Sequence, residues 1–165
     1  MVSRTEAQLI DNKAILSFKE FLVPQAAIIT PNRCEAEIVS GSTINNLAEL
    51  EKAVITIHHQ GNARIVLAKA GNLSGKERGK DIWCDSTEIK IISENIVSTI
   101  NAYSTGCTFS AAVCASLALG KDIWPGVVAA KQYVTTALEY SLNIGNGNGN
   151  GNGSVGHFFP LLQRR

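Results

Sequence analysis

The stretch Asn101-Ala102-Tyr103-Ser104-Thr105-Gly106-Cys107-Thr108, followed by FSAAVCASLA, decides how this sequence is interpreted. It predicts a polar, glycine-containing turn that leads directly into a helix of small apolar residues, Phe109 to Leu119. The first amide groups of such a helix have no partner within the helix, and the helix dipole adds partial positive charge there. The stretch therefore predicts an anion site, for which phosphate is the usual occupant.

Cys107 falls in the first turn of this predicted helix. The positive end of the dipole favours a thiolate, which can accept a proton. A capped helix start with a structural cysteine explains the same residues about as well. The local pattern alone therefore leaves both a chemical and a structural role open for Cys107.

Strands and helices alternate along most of the chain. Short apolar runs predict buried strands, periodic apolar positions predict helices, and glycine or proline ends most of these elements. The predicted helices are 11–22, 33–40, 43–60, 109–119 and 122–140. The predicted strands are 26–30, 63–69, 81–84 and 89–92, the last with a continuation through Ile96 and Val97. This alternation indicates an α/β fold with a parallel sheet covered by helices.

Two further groups of polar residues follow the first two predicted strands. Asn32 and Glu35 come just after the first strand, and Lys69 and Gly71 lie at the end of the second. In open α/β sheets, ligands bind beyond the carboxyl ends of the strands. A carboxylate there can hold Mg²⁺ through water, and a lysine can reach a phosphate. An ordinary acidic helix start and a surface lysine are the simpler interpretations of each group taken alone.

An unusual tract precedes the end of the chain. Residues 145–153 read GNGNGNGNG, which cannot bury side chains and predicts a flexible loop. Apolar residues follow the tract, so we expect the chain to pack again onto the fold at its end. These residues are Val155, Phe158, Phe159, Leu161 and Leu162.

The composition is that of an ordinary folded domain. Of the 165 residues, 45% are hydrophobic and 18% are charged, and the net charge of +1 gives no basic surface for nucleic acid. No apolar run is long enough to span a membrane, and the amino-terminal segment is unlike a secretory signal. The four cysteines have no CxxC spacing, so we expect reduced thiols in a cytoplasmic protein.

Taken together, the motifs resemble hydroxymethylpyrimidine/phosphomethylpyrimidine kinases of thiamine biosynthesis, which belong to the ribokinase-like superfamily. Pyridoxal kinases of that superfamily are a more distant match. Five motifs occur in family order between Met1 and about Phe159, namely TPN-xx-EAE, VLAKAGNL-G, STGCTFSAA, AAKQYVTTAL and IG-G-G…VGHFF. The resemblance implies a ribokinase-like α/β domain over residues 1–165, with a mostly parallel sheet flanked by helices. It also implies transfer of the ATP γ-phosphate to the hydroxymethyl group of the pyrimidine, and then to its monophosphate.

The resemblance further implies roles for individual residues. Cys107 would be the catalytic base. The anion hole of the family is matched by Ser104, Thr105 and Gly106. The family's N-x-x-E motif, which lies near Mg²⁺ and phosphate and would reach the metal through water, is matched by Asn32 and Glu35. The nucleotide-binding positions are matched by Lys69, Gly71 and Lys131. The implied cofactors are ATP and Mg²⁺, and the implied partner is a small-molecule pyrimidine.

Several positions depart from the family pattern. Where the family has HGTGC, this chain has Tyr103 and Ser104, so Ser104 brings a Cβ into a turn that can require a positive φ or a close approach of the backbone. The family's KGG is here Lys69-Ala70-Gly71, and Ser154 stands at a common proline position.

The resemblance also places Met1 well inside the family domain, so we expect its amino-terminal part to be missing, together with most pyrimidine-binding residues. A sheet cut in this way would expose an apolar edge, which predicts a homo-oligomer or a complementing amino-terminal chain. The alternative function is a catalytically inactive fragment or pseudoenzyme that retains a nucleotide- or partner-binding surface.

Overall fold

The computed structural model describes residues 8–71, 73–142 and 153–162. The chain divides into two compact units, Met1–Ser93 and Glu94–Arg165, and each is described by itself. Within the described ranges, no helix has the length and apolar character needed to cross a membrane. The predicted loop 145–153 lies outside the described residues apart from Gly153.

The first unit combines helices with a small sheet. Its helices are α1 (Asn12–Ser17), α2 (Arg33–Ser40) and α3 (Leu47–Gln60). Its strands are β1 (Val66–Ala68), β2 (Asp81–Cys84) and β3 (Ile89–Ile92). The strands lie in the order β1-β2-β3, and both neighbouring pairs are antiparallel. The predictions of α2 with its end at Gly41, and of the strands 81–84 and 89–92, are confirmed.

Parallel pairing occurs where residues 29–32 run beside residues 66–69. The Ile29 amide donates to the Ile65 carbonyl at 3.0 Å, and the Lys69 amide donates to the Pro31 carbonyl at 2.9 Å. In place of the predicted strand 26–30, the structure has only isolated bridges in this segment. Helices α2 and α3 separate the two segments in sequence, which provides the long crossover that parallel pairing needs. The connections between the three named strands contain no α-helix, and these strands are antiparallel rather than parallel.

One apolar cluster holds the first unit together. Leu50, Val54 and Ile57 of α3 are fully buried together with Val66 of β1 and Ile82 of β2. Each such side chain stabilises the fold by about 1.5–3 kcal/mol relative to exposure. Helix α3 starts at Leu47, four residues later than predicted, because the Asn46 side chain accepts the Glu49 amide at 2.9 Å and caps the helix there.

The first predicted helix is less regular than its sequence suggested. Helix α1 ends at Ser17 and continues as a π-helical turn, Phe18–Leu22, and a 3₁₀ turn, Val23–Gln25. Periodic apolar residues in the stretch 11–22 predict a buried face that includes Leu16 and Leu22, but these two residues are 64% and 59% exposed. A π turn changes the angular spacing of the residues that follow it, and Val23 is buried in place of Leu22.

The second unit is helical in its described part. Its helices are α4 (Thr105–Ala118), α5 (Ile123–Glu139) and α6 (Phe159–Leu162), and α4 packs against α5. Helix α4 starts four residues earlier than predicted, because the polar turn residues form its first turn. The predicted return of the chain is confirmed by Val155 and Phe159, which are buried beside Ala137.

The predicted strand continuation through Ile96 and Val97 is wrong. These residues have no regular structure, and the Thr99 amide bonds locally to the Val97 carbonyl at 3.2 Å. In a strand, the Thr99 amide would instead bond to a neighbouring strand.

Candidate functional site

The predicted site residues divide between the two units. The first unit contains Asn32, Glu35, Lys69 and Gly71, and the second contains Ser104, Thr105, Gly106, Cys107 and Lys131. Each group is described within its own unit.

The start of α2 is closed by its own side chains. Asn32 is the N-cap, and its side-chain oxygen accepts the Glu35 amide at 2.9 Å. The Glu35 carboxylate in turn accepts the Asn32 amide at 3.0 Å through Oε2. This reciprocal pair is a capping box, which satisfies two backbone donors that a helix start otherwise leaves without partners. Asn32 and Glu35, which were predicted as metal-site residues, therefore cap α2.

The structure brings Lys69 next to this helix start. Lys69 and Asn32 pair as a parallel bridge, so both lie at the carboxyl ends of neighbouring parallel segments. That edge is where open α/β sheets place ligands. Gly71 follows two residues later, is exposed, and has open space where a Cβ would project.

The residues of this edge fit a hydrated Mg²⁺ rather than a protein metal cage. Their oxygen atoms suit a hard cation. The Asn32 side-chain oxygen and one Glu35 oxygen each already accept an amide. Among the residues described by the structure, no group of three His, Cys, Asp or Glu side chains is placed to hold a metal ion. Contact through water, with phosphates completing the coordination, suits such a site.

Asp81 was not predicted as a site residue. It opens β2, is 4% exposed, and accepts the Ala70 amide at 2.9 Å through Oδ1. Ala70 stands at a glycine position of the family motif, but its φ is not positive, so this substitution introduces no left-handed strain. The sequence could have indicated a role for Asp81, because it is an acidic residue at the start of the buried run DIWC. Carboxylates are seldom fully buried without a partner.

The start of α4 differs in its backbone. Ser104 is the N-cap with φ 67° and ψ 13°, in the left-handed region, and its side chain makes no capping hydrogen bond. The expectation of a positive φ at this position is confirmed. This conformation costs an L-residue about 1–2 kcal/mol, whereas glycine adopts it freely.

Three consecutive amides lie at this helix start. The Thr108 amide is the first to bond back, to the Ser104 carbonyl at 2.9 Å, and the Thr108 hydroxyl reaches the same carbonyl at 2.8 Å. The amides of Thr105, Gly106 and Cys107 occupy the positions that lack intrahelical partners. The Cys107 side chain is exposed beside them. This arrangement can bind an anion next to a thiol.

A segment from the end of the chain supports the same turn. The buried Asn101 side chain accepts the Gly153 amide at 3.0 Å, and the Tyr103 amide donates to the Gly153 carbonyl at 3.2 Å. A Cβ on Gly153 would lie 2.6 Å from the Asn101 side-chain oxygen, so only glycine fits there. Asn101 begins the stretch that predicts the anion site, but its supporting role was not predicted.

The remaining predicted residue, Lys131, lies on α5 and is half-buried. The other thiols provide a contrast with Cys107. Cys114 on α4 is also exposed, whereas Cys84 is buried and burial raises its pKa.

Comparison with known proteins gives the family. Residues 1–152 match the family model of phosphomethylpyrimidine kinase. A hydroxymethylpyrimidine/phosphomethylpyrimidine kinase of Synechococcus elongatus is 42% identical over 161 residues, which make up 98% of this chain and 59% of that enzyme. The chain therefore spans well under two thirds of the length of this relative.

Solved structures agree with the sequence match. The ADP complex of Bacillus subtilis pyridoxal kinase superposes with a TM-score of 0.82 at 30% identity, covering 91% of this chain and 55% of that one. Pyridoxal kinase from Staphylococcus aureus, in complex with AMP-PCP and pyridoxal, gives a TM-score of 0.82 at 26% identity, covering 92% and 55%. These likenesses confirm the predicted ribokinase-like fold class, and the chain belongs to the phosphomethylpyrimidine kinase family.

Proposed function

We propose that this chain serves the ATP-dependent phosphorylation of hydroxymethylpyrimidine and its monophosphate in thiamine biosynthesis. The observation that carries the proposal is the start of α4. Three amides without intrahelical partners and an exposed thiol lie together there, on the STGC sequence of a kinase family. Phosphoryl transfer needs such a group of donors, because catalysis depends mainly on positioning and on stabilising charge at the phosphoryl oxygens.

In the proposed reaction, Cys107 accepts the proton of the substrate hydroxyl as that oxygen attacks the γ-phosphorus of ATP. The new oxygen–phosphorus bond forms while the bond from the γ-phosphorus to the bridging oxygen breaks, and ADP leaves with that electron pair. The amides of Thr105, Gly106 and Cys107 stabilise the negative charge on the transferring phosphoryl group. The turn at Ser104 sets the direction of these amides.

The remaining predicted residues bind the nucleotide in this proposal. The Lys69 ammonium and the Lys131 ammonium neutralise phosphate charge, and Gly71 lets the backbone approach the nucleotide closely. Asn32 and Glu35 would hold Mg²⁺ through water, and the ion when bound would neutralise charge on the ATP phosphates. The reaction takes place in the cytoplasm, where the four cysteine thiols stay reduced.

We further propose that the chain works together with a second polypeptide, either another copy or a chain that supplies the amino-terminal part of its longer relatives. Strand β3 ends the order of the three-stranded sheet, and Ile89 and Ile91 on it are exposed. Exposed apolar residues on an outer strand favour pairing with another chain.

A coupled assay of ADP release tests the proposal. The wild-type chain is assayed with hydroxymethylpyrimidine, its monophosphate and pyridoxal, alone and mixed with the amino-terminal part of the Synechococcus elongatus relative. We expect turnover of the pyrimidines and a loss in kcat of about 100-fold or more in Cys107→Ala, which is the usual scale for a lost general base. Cys114→Ala is the matched control, because Cys114 is exposed on the same helix. We expect its kcat to stay within about twofold of wild type, since it takes no part in proton transfer.

Other outcomes separate the alternatives. Preferred turnover of pyridoxal would replace the proposed substrate class while keeping the kinase. Calorimetric binding of Mg-ATP without turnover in any mixture would support the inactive fragment instead. Full activity of Cys107→Ala would remove the proposed base.

A further inference from the structure

Ala70 is the residue at which the chain leaves the parallel pairing. The Lys69 amide makes the last bond of that pairing, to the Pro31 carbonyl at 2.9 Å. Ala70 is fully buried, so its own amide needs a partner inside the protein. The Asp81 carboxylate accepts this amide at 2.9 Å. A hydrogen bond to an ionised acceptor is about twice as strong as one between neutral groups.

The other backbone group of Ala70 is also held. Its carbonyl accepts the Leu73 amide at 3.0 Å and the Gly79 amide at 3.2 Å. The middle residue of the turn Lys69-Ala70-Gly71 is therefore fixed on both sides. Gly71, next to it, is exposed to solvent. Fixing Ala70 sets the direction in which the Lys69 side chain and the Gly71 backbone face a ligand.

We infer that Asp81 is a positioning residue that holds the turn Lys69–Gly71 in the orientation that binds the nucleotide phosphates. The inference rests on the proposed function, because it assigns Asp81 to the nucleotide-binding turn. Asp81 acts through the Ala70 amide and does not itself touch the nucleotide.

Asp85 provides a matched control at the other end of β2. It accepts the Thr87 hydroxyl and amide at 2.7 Å each and the Trp83 indole N–H at 3.0 Å. The Thr87 hydroxyl bond is the main cause that lowers the pKa of Asp85 from 3.8 to about 2. Asp85, like Asp81, accepts hydrogen bonds in this strand region, but its partners belong to the β2–β3 hairpin.

Two measurements on the full chain test the inference. Calorimetry gives the Kd for ADP, and hydrogen exchange with mass spectrometry follows the peptide that covers residues 69–71 in the absence of ligand. We expect Asp81→Ala to weaken ADP binding about tenfold, as loss of an oriented hydrogen bond does, and to speed exchange in that peptide. Asp81→Asn keeps an oxygen acceptor and should stay within about threefold of the wild-type Kd. Asp85→Ala should bind ADP as wild type does, although it unfolds at a lower urea concentration.

If Asp81→Ala does not fold, Asp81→Glu takes its place. The glutamate keeps the carboxylate but displaces it from the Ala70 amide, so this variant should also weaken ADP binding. Unchanged ADP binding together with faster exchange at 69–71 would overturn the inference and leave the proposed function standing. Equal weakening by Asp81→Ala and Asp85→Ala would reduce Asp81 to a general stability role and also overturn it. A wild-type chain that binds no nucleotide, alone or with its complementing part, would overturn the proposed function and this inference with it.

Discussion

Helices α2 and α4 both begin at a motif that the family uses near phosphate, but the two helix starts are built differently. Asn32 at the start of α2 has extended backbone, and a capping box with Glu35 satisfies the amides of these two residues. Ser104 at the start of α4 has a left-handed backbone, and its side chain caps nothing. The first start is held by its own side chains acting on its amides. The second has side chains that bond only to carbonyls, and it is also held by a distant segment through Asn101 and Gly153.

A helix start near a ligand can therefore be closed, with side chains bonded to its first amides, or open, with those amides left for a ligand. The α2 start uses its polar side chains on its own backbone, so a ligand there meets side chains that already have backbone partners. The α4 start leaves its first amides for a ligand and depends on a distant segment for its shape.

Gly153→Ala should cause the largest loss of stability. The added Cβ would overlap the Leu142 carbonyl oxygen and lie 2.6 Å from the Asn101 side-chain oxygen, and relieving these overlaps must move the segment that supports the α4 turn. We expect the free energy of unfolding in urea to fall by about 3 kcal/mol. Gly71→Ala is the control, because no atom lies within 4 Å of the position that its Cβ would take and its φ is not positive. Equal stability of the two variants would contradict the support assigned to Gly153.

Asn32→Ala should have the next largest effect. It removes the cap of α2 and leaves the Glu35 amide without its acceptor. Loss of such a cap costs about 1–2 kcal/mol. Ser104→Ala should change the free energy of unfolding by less than about 0.5 kcal/mol, since its side chain makes no capping bond. A larger loss at Ser104 than at Asn32 would reverse the assignment of closed and open starts.

Ser104→Gly should stabilise the protein slightly. Glycine relieves about 1 kcal/mol of left-handed strain at φ 67°, and its greater freedom in the unfolded chain offsets part of this gain. The expected net gain is about 0.5 kcal/mol in the free energy of unfolding, measured in urea. Asn62→Gly makes the same change at the other described non-glycine residue with positive φ, at 51°, and should give a gain of similar size. A clear loss of stability in Ser104→Gly would mean that the serine side chain makes a contribution that its contacts do not reveal.

Thiol labelling also compares the two helix starts, and the effect expected from it is the smallest. Cys107 at the α4 start is exposed, whereas Cys34 at the α2 start is half-buried and accepts an Arg33 N–H at 3.5 Å. We expect 5,5′-dithiobis(2-nitrobenzoate) to modify Cys107 about threefold faster than Cys34, because the exposed thiol is more accessible to the reagent. Cys84 should react last, since burial raises its pKa. Peptide mapping identifies each site, and faster labelling of Cys34 than of Cys107 would contradict the open start of α4.

The sequence predicted elements well where local signals act alone. Helix α2 was predicted over 33–40 with its end at Gly41, and the structure has both. Strands β2 and β3 follow from their apolar runs. The positive φ at Ser104 followed from its glycine position in the family motif.

The features that the sequence did not reveal depend on contacts distant in the chain. Antiparallel pairing of β1 with β2 is set by a connection without an α-helix, although the apolar runs look the same for either direction. The π turn after Ser17 arises within an apparently regular helical pattern. Asp81 and Asn101 gain their roles from partners 11 and 52 residues away, which no local motif can indicate.

The most direct test of the account is an amide chemical-shift titration of the ¹⁵N-labelled chain with AMP-PCP, without Mg²⁺. The account predicts saturable shifts at Thr105, Gly106 and Cys107, because their amides are the donors offered to phosphate. It predicts clearly smaller shifts for the amides of Asn32 and Glu35, which are bonded within the capping box. Silent amides at Thr105 to Cys107, or equal shifts at both helix starts, would contradict it.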